Sequence, residues 1–139
     1  MEFEQLRLKN QLCHRLYKAS NSVVRAYREP LAALNLTYPQ YIVMMALWEQ
    51  DEISIAALIE NTVIDGGALT QILKKMAEKQ LVHIVKQQTD KRQKLVKLTS
   101  QGHALKAQAS DIPERVSCKF TGISKDQVKQ LMQLLDQIG

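Results

Sequence analysis

The stretch ALTQILKKMAEKQLVHIVKQQTDKRQKLVKLTSQG, residues 68–102, changes its hydrophobic period halfway along. Leu69, Ile72, Leu73 and Met76 recur at the 3–4 spacing of one helix face, and Lys74, Lys75 and Lys79 fall off that stripe. From Val82 the period drops to two. VHIVKQ alternates, QTDKR is polar, and QKLVKLT alternates again. The pattern predicts a helix from Gly66 to about Gln80, capped by Asp65, followed by a β-hairpin with a basic tip.

Immediately upstream, ISIAALIENT carries Ser54 as a cap and Ile55, Leu58 and Ile59 on one face, so a short helix precedes the VIDGG turn. Short helix, turn, second helix with basic residues off its stripe, then hairpin is the winged helix-turn-helix order. In that arrangement the second helix enters a major groove and the hairpin reaches a neighbouring groove or the phosphates.

The flanks read as helices. Leu12, Leu16, Ala19, Val23 and Ala26 make one stripe of a long helix from about Leu6 to Arg28, with Cys13, Tyr17, Ser20, Val24 and Tyr27 beside it. Pro30 disfavours helical backbone at Glu29 and predicts a break or kink there. Thr37 is an N-cap candidate with Pro39 in the first turn, and YIVMMALWE, residues 41–49, is a buried helix ended by the acidic QDE. Thr99 caps SQGHALKAQASDI, expected to end near Pro113, and Ser124 with Gln127 forms a capping-box pattern. The last helix shows Val128, Leu131, Leu134, Leu135 and Ile138 on one face.

The expected fold class is mainly α, a winged helix-turn-helix with long N- and C-terminal helices forming a dimer interface. Residues 1–139 form a single domain, with 1–37 and 100–139 as dimerisation helices and 38–99 as the DNA-binding unit. A dimer presents two recognition helices to the two half-sites of a pseudo-palindromic operator in double-stranded DNA.

Composition agrees with a soluble domain: 45% of the 139 residues are apolar and 24% charged. No apolar run is long enough to span a membrane, the polar N-terminus is unlike a secretory signal, and two cysteines are too few for a disulfide scaffold. The expected compartment is a reducing cytoplasm. Charge is the sharper signal. Thr70 to Lys97 holds eight bases against two acids, a net +6 within a chain of net +5. Such focusing suits a polyanion, with a solvated basic surface as the plain alternative. The expected DNA-contacting residues are Asp65, Thr70, Gln71, Lys74, Lys75, Asp90, Lys91, Arg92 and Lys94, with Asp90 bracing Arg92 at the hairpin tip.

Cys13 and Cys118 are the only thiols. From the residues alone Cys13 is a small buried apolar filler, because it falls mid-helix with only Lys9 and Arg15 nearby. Tyr17, Tyr27 and Tyr38 are the available hydroxyl donors, and donation to the charged form favours a thiolate. No metal or cofactor is expected: Cys13 and His14 are adjacent and face apart, and His83 and His103 lack ligand spacing. Tyr38, Tyr41 and Trp48 read as core aromatics.

The hairpin pattern Asp90-x-Arg92 followed by Leu98-Thr99 and Gly102 resembles the MarR family of dimeric bacterial repressors. NQLCHRLYKAS, RAYREPL and LNLTYPQYIVMMALWE resemble its organic hydroperoxide-sensing branch, OhrR, over nearly the whole chain. The resemblance implies that Cys13 is the peroxide-reactive thiol, that Tyr27 and Tyr38 hydrogen-bond its thiolate side, and that Tyr17 lies near it. DIPERVSC places Cys118 at the resolving position of the two-cysteine type, in which the disulfide joins one subunit's reactive cysteine to its partner's resolving one. At the start of the recognition helix the chain reads IDGGALTQ where the family usually has LDSGTLTP, so Gly66 and Ala68 lack the hydroxyls expected there.

Three functions follow as expectations. The first is a redox-sensing repressor, with an organic hydroperoxide as inducer and no enzymatic activity. The second is a regulator released by a small aromatic or lipid ligand, with Cys13 structural. The third is a thiol peroxidase, for which the chain carries no recognisable motif and which leaves the basic hairpin unexplained.

Overall fold

The computed structural model describes residues 3–90 and 92–139. Two short 3-10 turns, Glu4–Leu6 and Leu8–Asn10, lead into helix α1, Leu12–Ala32. Helix α2 spans Tyr38–Glu49, strand β1 Ile53–Ser54, helix α3 Ile55–Thr62 and helix α4 Gly66–Glu78. Strands β2, Val82–Lys86, and β3, Lys94–Leu98, form the hairpin, and helices α5, Ser100–Ala109, α6, Ile112–Ser117, and α7, Lys125–Asp136, complete the chain.

Five helices start at the caps expected of them. Thr37 and Gln40 form a capping box at α2, and Ser124 and Gln127 form another at α7. The side chains of Ser54, Asp65 and Thr99 accept from the N–H groups of Ala57, Gly67 and Gly102. Each such cap contributes about 1 kcal/mol and uses partners two or three residues away.

The long first helix differs from expectation at both ends. It begins at Leu12, not near Leu6, because Arg7 and Gln11 are extended and polar side chains take the intervening backbone. Asn10 Nδ2 donates to the Glu4 carbonyl at 2.7 Å, and Gln11 Nε2 donates to the Gln5 and Arg7 carbonyls at 2.8 and 2.9 Å. Nor does Pro30 end the helix, which continues to Ala32 with Pro30 buried. The proline removes the N–H that would pair with the Ala26 carbonyl. Lys119 Nζ donates to that carbonyl instead, at 3.2 Å.

Pro113 also has a different role. Helix α5 stops at Ala109, and Pro113 sits in the first turn of α6, where a missing N–H costs nothing. The hairpin is joined by a strand absent from the expected order: β1 pairs antiparallel with β3, Ile53 opposite Val96, giving the sheet order β1-β3-β2. On the other side of β3, Val82 faces Leu98 and Ile84 faces Val96.

The core is built from Leu31, Tyr41, Met44 and Leu47 of the first two helices, Leu58 of α3, and Leu69, Leu73 and Met76 of α4. Val82, Val96 and Leu98 close it from the sheet, and Ile112 and Val116 close it from α6. Fully burying a side chain of this size stabilises by about 1.5–3 kcal/mol, so three such contacts hold α4 firmly by its inner face. Helix α7 buries none of its residues, and Leu131, Met132, Leu134 and Ile138 are exposed.

Candidate nucleic-acid interface and thiol site

With Leu69, Leu73 and Met76 turned inward, helix geometry puts Thr70, Gln71, Lys74 and Lys75 outward, and all four are exposed. Two of the expected contact residues are partly occupied by local bonds. Asp65 Oδ2 accepts from the Gly67 N–H at 3.1 Å, and Thr70 Oγ1 donates to the Gly66 carbonyl at 2.9 Å. Gln71, Lys74 and Lys75 lie on the same face, and among the described residues their polar ends have no hydrogen-bond partner.

The hairpin tip is organised by Asp90, whose Oδ1 accepts from the Arg92 N–H at 3.0 Å and lies 3.7 Å from Arg92 Nε. The Arg92 side chain is 96% exposed, so this contact shapes the turn without immobilising the guanidinium. Lys91 lies outside the described residues. Lys86 and Lys94 sit directly opposite each other in the ladder, and among the described residues neither has a carboxylate partner. Like charges placed directly across a strand pair repel, an arrangement that an anionic partner relieves.

Not every base in the stretch is available. Lys97 Nζ is paired with Glu52 Oε1 at 2.9 Å, which also holds its pKa up. Lys79 is drawn inward, to the Asn35 carbonyl and Gln40 Oε1. Among the described residues, the positive charges left facing outward are therefore Lys74 and Lys75 on α4, Lys86 and Lys94 on the hairpin strands, and the exposed Arg92 at the tip.

Cys13 is neither buried nor mid-helix. It is exposed and is the second residue of α1, in the first turn of the helix. The filler reading is thereby corrected, and the cause is the later start of the helix. Tyr17 follows one turn on, 66% exposed, so it shares the Cys13 face.

Tyr27 and Tyr38 are elsewhere. Their ring centroids lie 5.0 Å apart, and Tyr41 joins them at 5.6 Å from Tyr27. Fourteen residues of continuous helix separate Cys13 from Tyr27, about 21 Å at the helical rise. Within one protomer the structure does not bring the thiol to this pair. Burial, and secondarily the neighbouring Tyr38, raises the Tyr27 pKa, so its hydroxyl stays a proton donor at neutral pH.

Cys118 is also exposed and free, at the end of α6. The bond from Lys119 to the Ala26 carbonyl fixes this region beside the C-terminal half of α1, whereas Cys13 stands at its N-terminal end. The two thiols of one chain thus flank opposite ends of the same helix. Among the described residues no group of three or more His, Cys, Asp or Glu side chains is clustered to hold a metal.

Sequence reasoning missed Asp51, taken only as part of a helix-ending acidic run. Its Oδ1 accepts from the Leu98 N–H at 2.9 Å and its Oδ2 lies 3.2 Å from His103 Nε2, pinning the base of the hairpin to α5. An acid in a run after a helix carries no sign of a partner 47 positions away.

A family model described as transcriptional regulator SarA/Rot matches residues 25–109. The organic hydroperoxide resistance transcriptional regulator of Bacillus subtilis is 36% identical over 133 residues, covering 96% of this chain and 88% of that protein. Among solved structures, reduced AbfR bound to DNA, a protein also crystallised from Staphylococcus epidermidis, superposes with a TM-score of 0.80 at 30% identity over 99% of this chain and 96% of AbfR. A MarR mutant from E. coli complexed with operator DNA gives 0.86 at 24% identity, covering 99% of both chains, a likeness of fold. The chain belongs to the MarR family of winged-helix transcriptional regulators, alongside the organic hydroperoxide regulators.

Proposed function

We propose that the chain acts as a homodimer that binds double-stranded DNA and releases it when an organic hydroperoxide oxidises Cys13. The observation that carries this reading is Cys13 itself: an exposed thiol in the first turn of α1, in a chain 36% identical to an organic hydroperoxide regulator. Helix α4 lies in the major groove with Gln71, Lys74 and Lys75 against it. Thr70 and the capped Asp65 end sit at the groove edge, and Arg92 and Lys94 of the hairpin reach the adjacent backbone. The exposed apolar face of α7, with Leu131 and Leu134, and Ile138 just beyond it are covered by the second copy.

The chemistry balances without a cofactor. The Cys13 thiolate attacks the peroxide O–O bond, forming a sulfenic acid and releasing the alcohol once the leaving alkoxide takes a proton. The Cys118 thiol of the second subunit condenses with the sulfenic acid, giving a disulfide and water. A disulfide needs Cα atoms within about 7 Å, so its formation must move α1 against the partner. For the same geometric reason the hydroxyls serving the thiolate come from Tyr17 in cis and from a Tyr27–Tyr38 pair in trans.

The test is DNA binding against added cumene hydroperoxide, with non-reducing gels run in parallel. Wild type releases DNA and forms a linked dimer. Cys13→Ser holds DNA at every peroxide dose, and Cys118→Ser forms no linked dimer. Release by Cys13→Ser overturns the sensor assignment.

An open cleft of about 850 Å³ between α2 and α3, lined by Ile42, Met45, Glu49 and Asn61, favours the second reading, a regulator released by a small aromatic or lipid ligand. Under that reading peroxide leaves DNA binding intact and a cleft ligand abolishes it.

A further inference from the structure

Lys79 counts among the eight bases of the 70–97 stretch, yet its ammonium is used inside the protein. It follows the last turn of α4 and donates to the Asn35 carbonyl at 2.7 Å and to Gln40 Oε1 at 2.8 Å. Gln40 is the polar side chain found in the described core, 2% exposed, and its Oε1 also accepts from the Thr37 N–H at 3.2 Å. Asn35 stands in the left-handed region, φ 56°, where the chain turns out of α1. One ammonium therefore joins the end of α1, the start of α2 and the end of α4.

The surroundings set this bond apart from a surface ion pair. Both acceptors are neutral, and burial together with the nearby Lys75 lowers the Lys79 pKa. Leu69, Leu73 and Met76 anchor α4 by apolar contact, which is strong but non-directional and leaves small rotations of the helix cheap. Hydrogen bonds are directional and are worth more when one partner is charged. Reading base edges requires side chains held to within a fraction of an ångström.

We infer that Lys79 is a positioning residue for DNA reading: through Asn35 and Gln40 it sets the angle of α4 against the α1–α2 corner, and it makes no phosphate contact of its own. The inference rests on the proposal that α4 reads DNA. It separates Lys79 from Lys74 and Lys75, which sit on the exposed face of the same helix.

The probes are duplexes enriched by the wild-type protein from a random 30-base-pair pool, and scrambled duplexes of equal composition. Affinities for both are measured across a salt series for wild type, Lys79→Met, Gln40→Met, the double variant and Lys74→Ala, with circular dichroism confirming the fold. Lys79→Met and Gln40→Met should each lower the enriched-to-scrambled affinity ratio about tenfold, the size of one mismatched base pair. They should leave the salt slope unchanged, and the double variant should lose no more than either single. Lys74→Ala should instead lower the slope by about one. A slope reduced by about one in Lys79→Met makes Lys79 a phosphate contact and overturns the inference. An unchanged ratio in Lys79→Met, or additive losses in the double variant, overturns it equally. If wild type enriches no sequence, the DNA-reading proposal fails first, which is a different result from an unchanged ratio.

Discussion

Trp48 Nε1 donates to the carbonyl of Gly102 at 3.0 Å, joining the C-terminal end of α2 to the first turn of α5. The approach is close because Gly102 also lies against the hairpin. A Cβ at this position would collide with the Leu81 carbonyl oxygen and stand 3.1 Å from Leu98 Cδ2. The Leu81 oxygen is held in place by the Thr99 N–H at 3.0 Å, so it has no room to yield.

Gly102→Ala should therefore destabilise the protein by about 1–3 kcal/mol, the usual cost of overpacking a close-packed site. Thermal melts followed by circular dichroism measure it. A melting point equal to wild type would mean that the α2–α5–hairpin junction relaxes freely.

Val63 is the opposite case. It caps α3 in the left-handed region, φ 58°, with 87% of its surface exposed. A β-branched side chain gains no burial there and bears the steric cost of that conformation, about 1–2 kcal/mol. Val63→Asn should raise stability by about 1 kcal/mol in denaturant unfolding. An unchanged or lower midpoint would show that Val63 makes a compensating contact.

The hairpin and α4 should differ from Lys97 in salt dependence. Arg92→Ala and Lys75→Ala should each lower the slope of log affinity against log salt by about one. Lys97→Ala, whose ammonium already faces Glu52, should leave it almost unchanged. A slope preserved in Arg92→Ala removes the hairpin tip from the DNA contacts.

Alkaline pH should act through the tyrosine cluster. Burial raises the pKa of Tyr27 and of Tyr41 above the ordinary value of 10.0. Below that value both hydroxyls are neutral in the folded and unfolded chain, and their contribution is fully present. As pH climbs beyond it the unfolded chain ionises first and stability is lost. Lys79 works the other way, because its pKa is lowered from 10.5 and its partly desolvated charge ceases to cost once deprotonated. Tyr27→Phe should lose less stability than wild type between about pH 9 and 11, read as the urea midpoint. Parallel losses in the two proteins would remove Tyr27 as the cause.

The sequence by itself determined the features whose partners are close along the chain. The caps at Thr37, Ser54, Asp65, Thr99 and Ser124 each join a side chain to an N–H two or three residues away. The switch from a 3–4 stripe to alternation at Val82 specified helix α4 and the hairpin, because side-chain period is a property of the backbone conformation itself. The tertiary structure decided what depends on distant partners. The carbonyl that Pro30 orphans is taken by Lys119, 93 positions from Ala26, and β1 exists only because β3 lies beside it. Lys79, identical in type to Lys74 and Lys75, is turned inward by Gln40 and Asn35. The late start of α1 is a local miss, as is Pro113, which opens α6 rather than ending α5. That late start moved Cys13 from the middle of a helix to its first turn, and the helix rise then set that thiol about 21 Å from the Tyr27–Tyr38 pair. Hydrogen bonds and packing across many residues cannot be read from spacing, since loop closure costs little extra as the intervening chain grows.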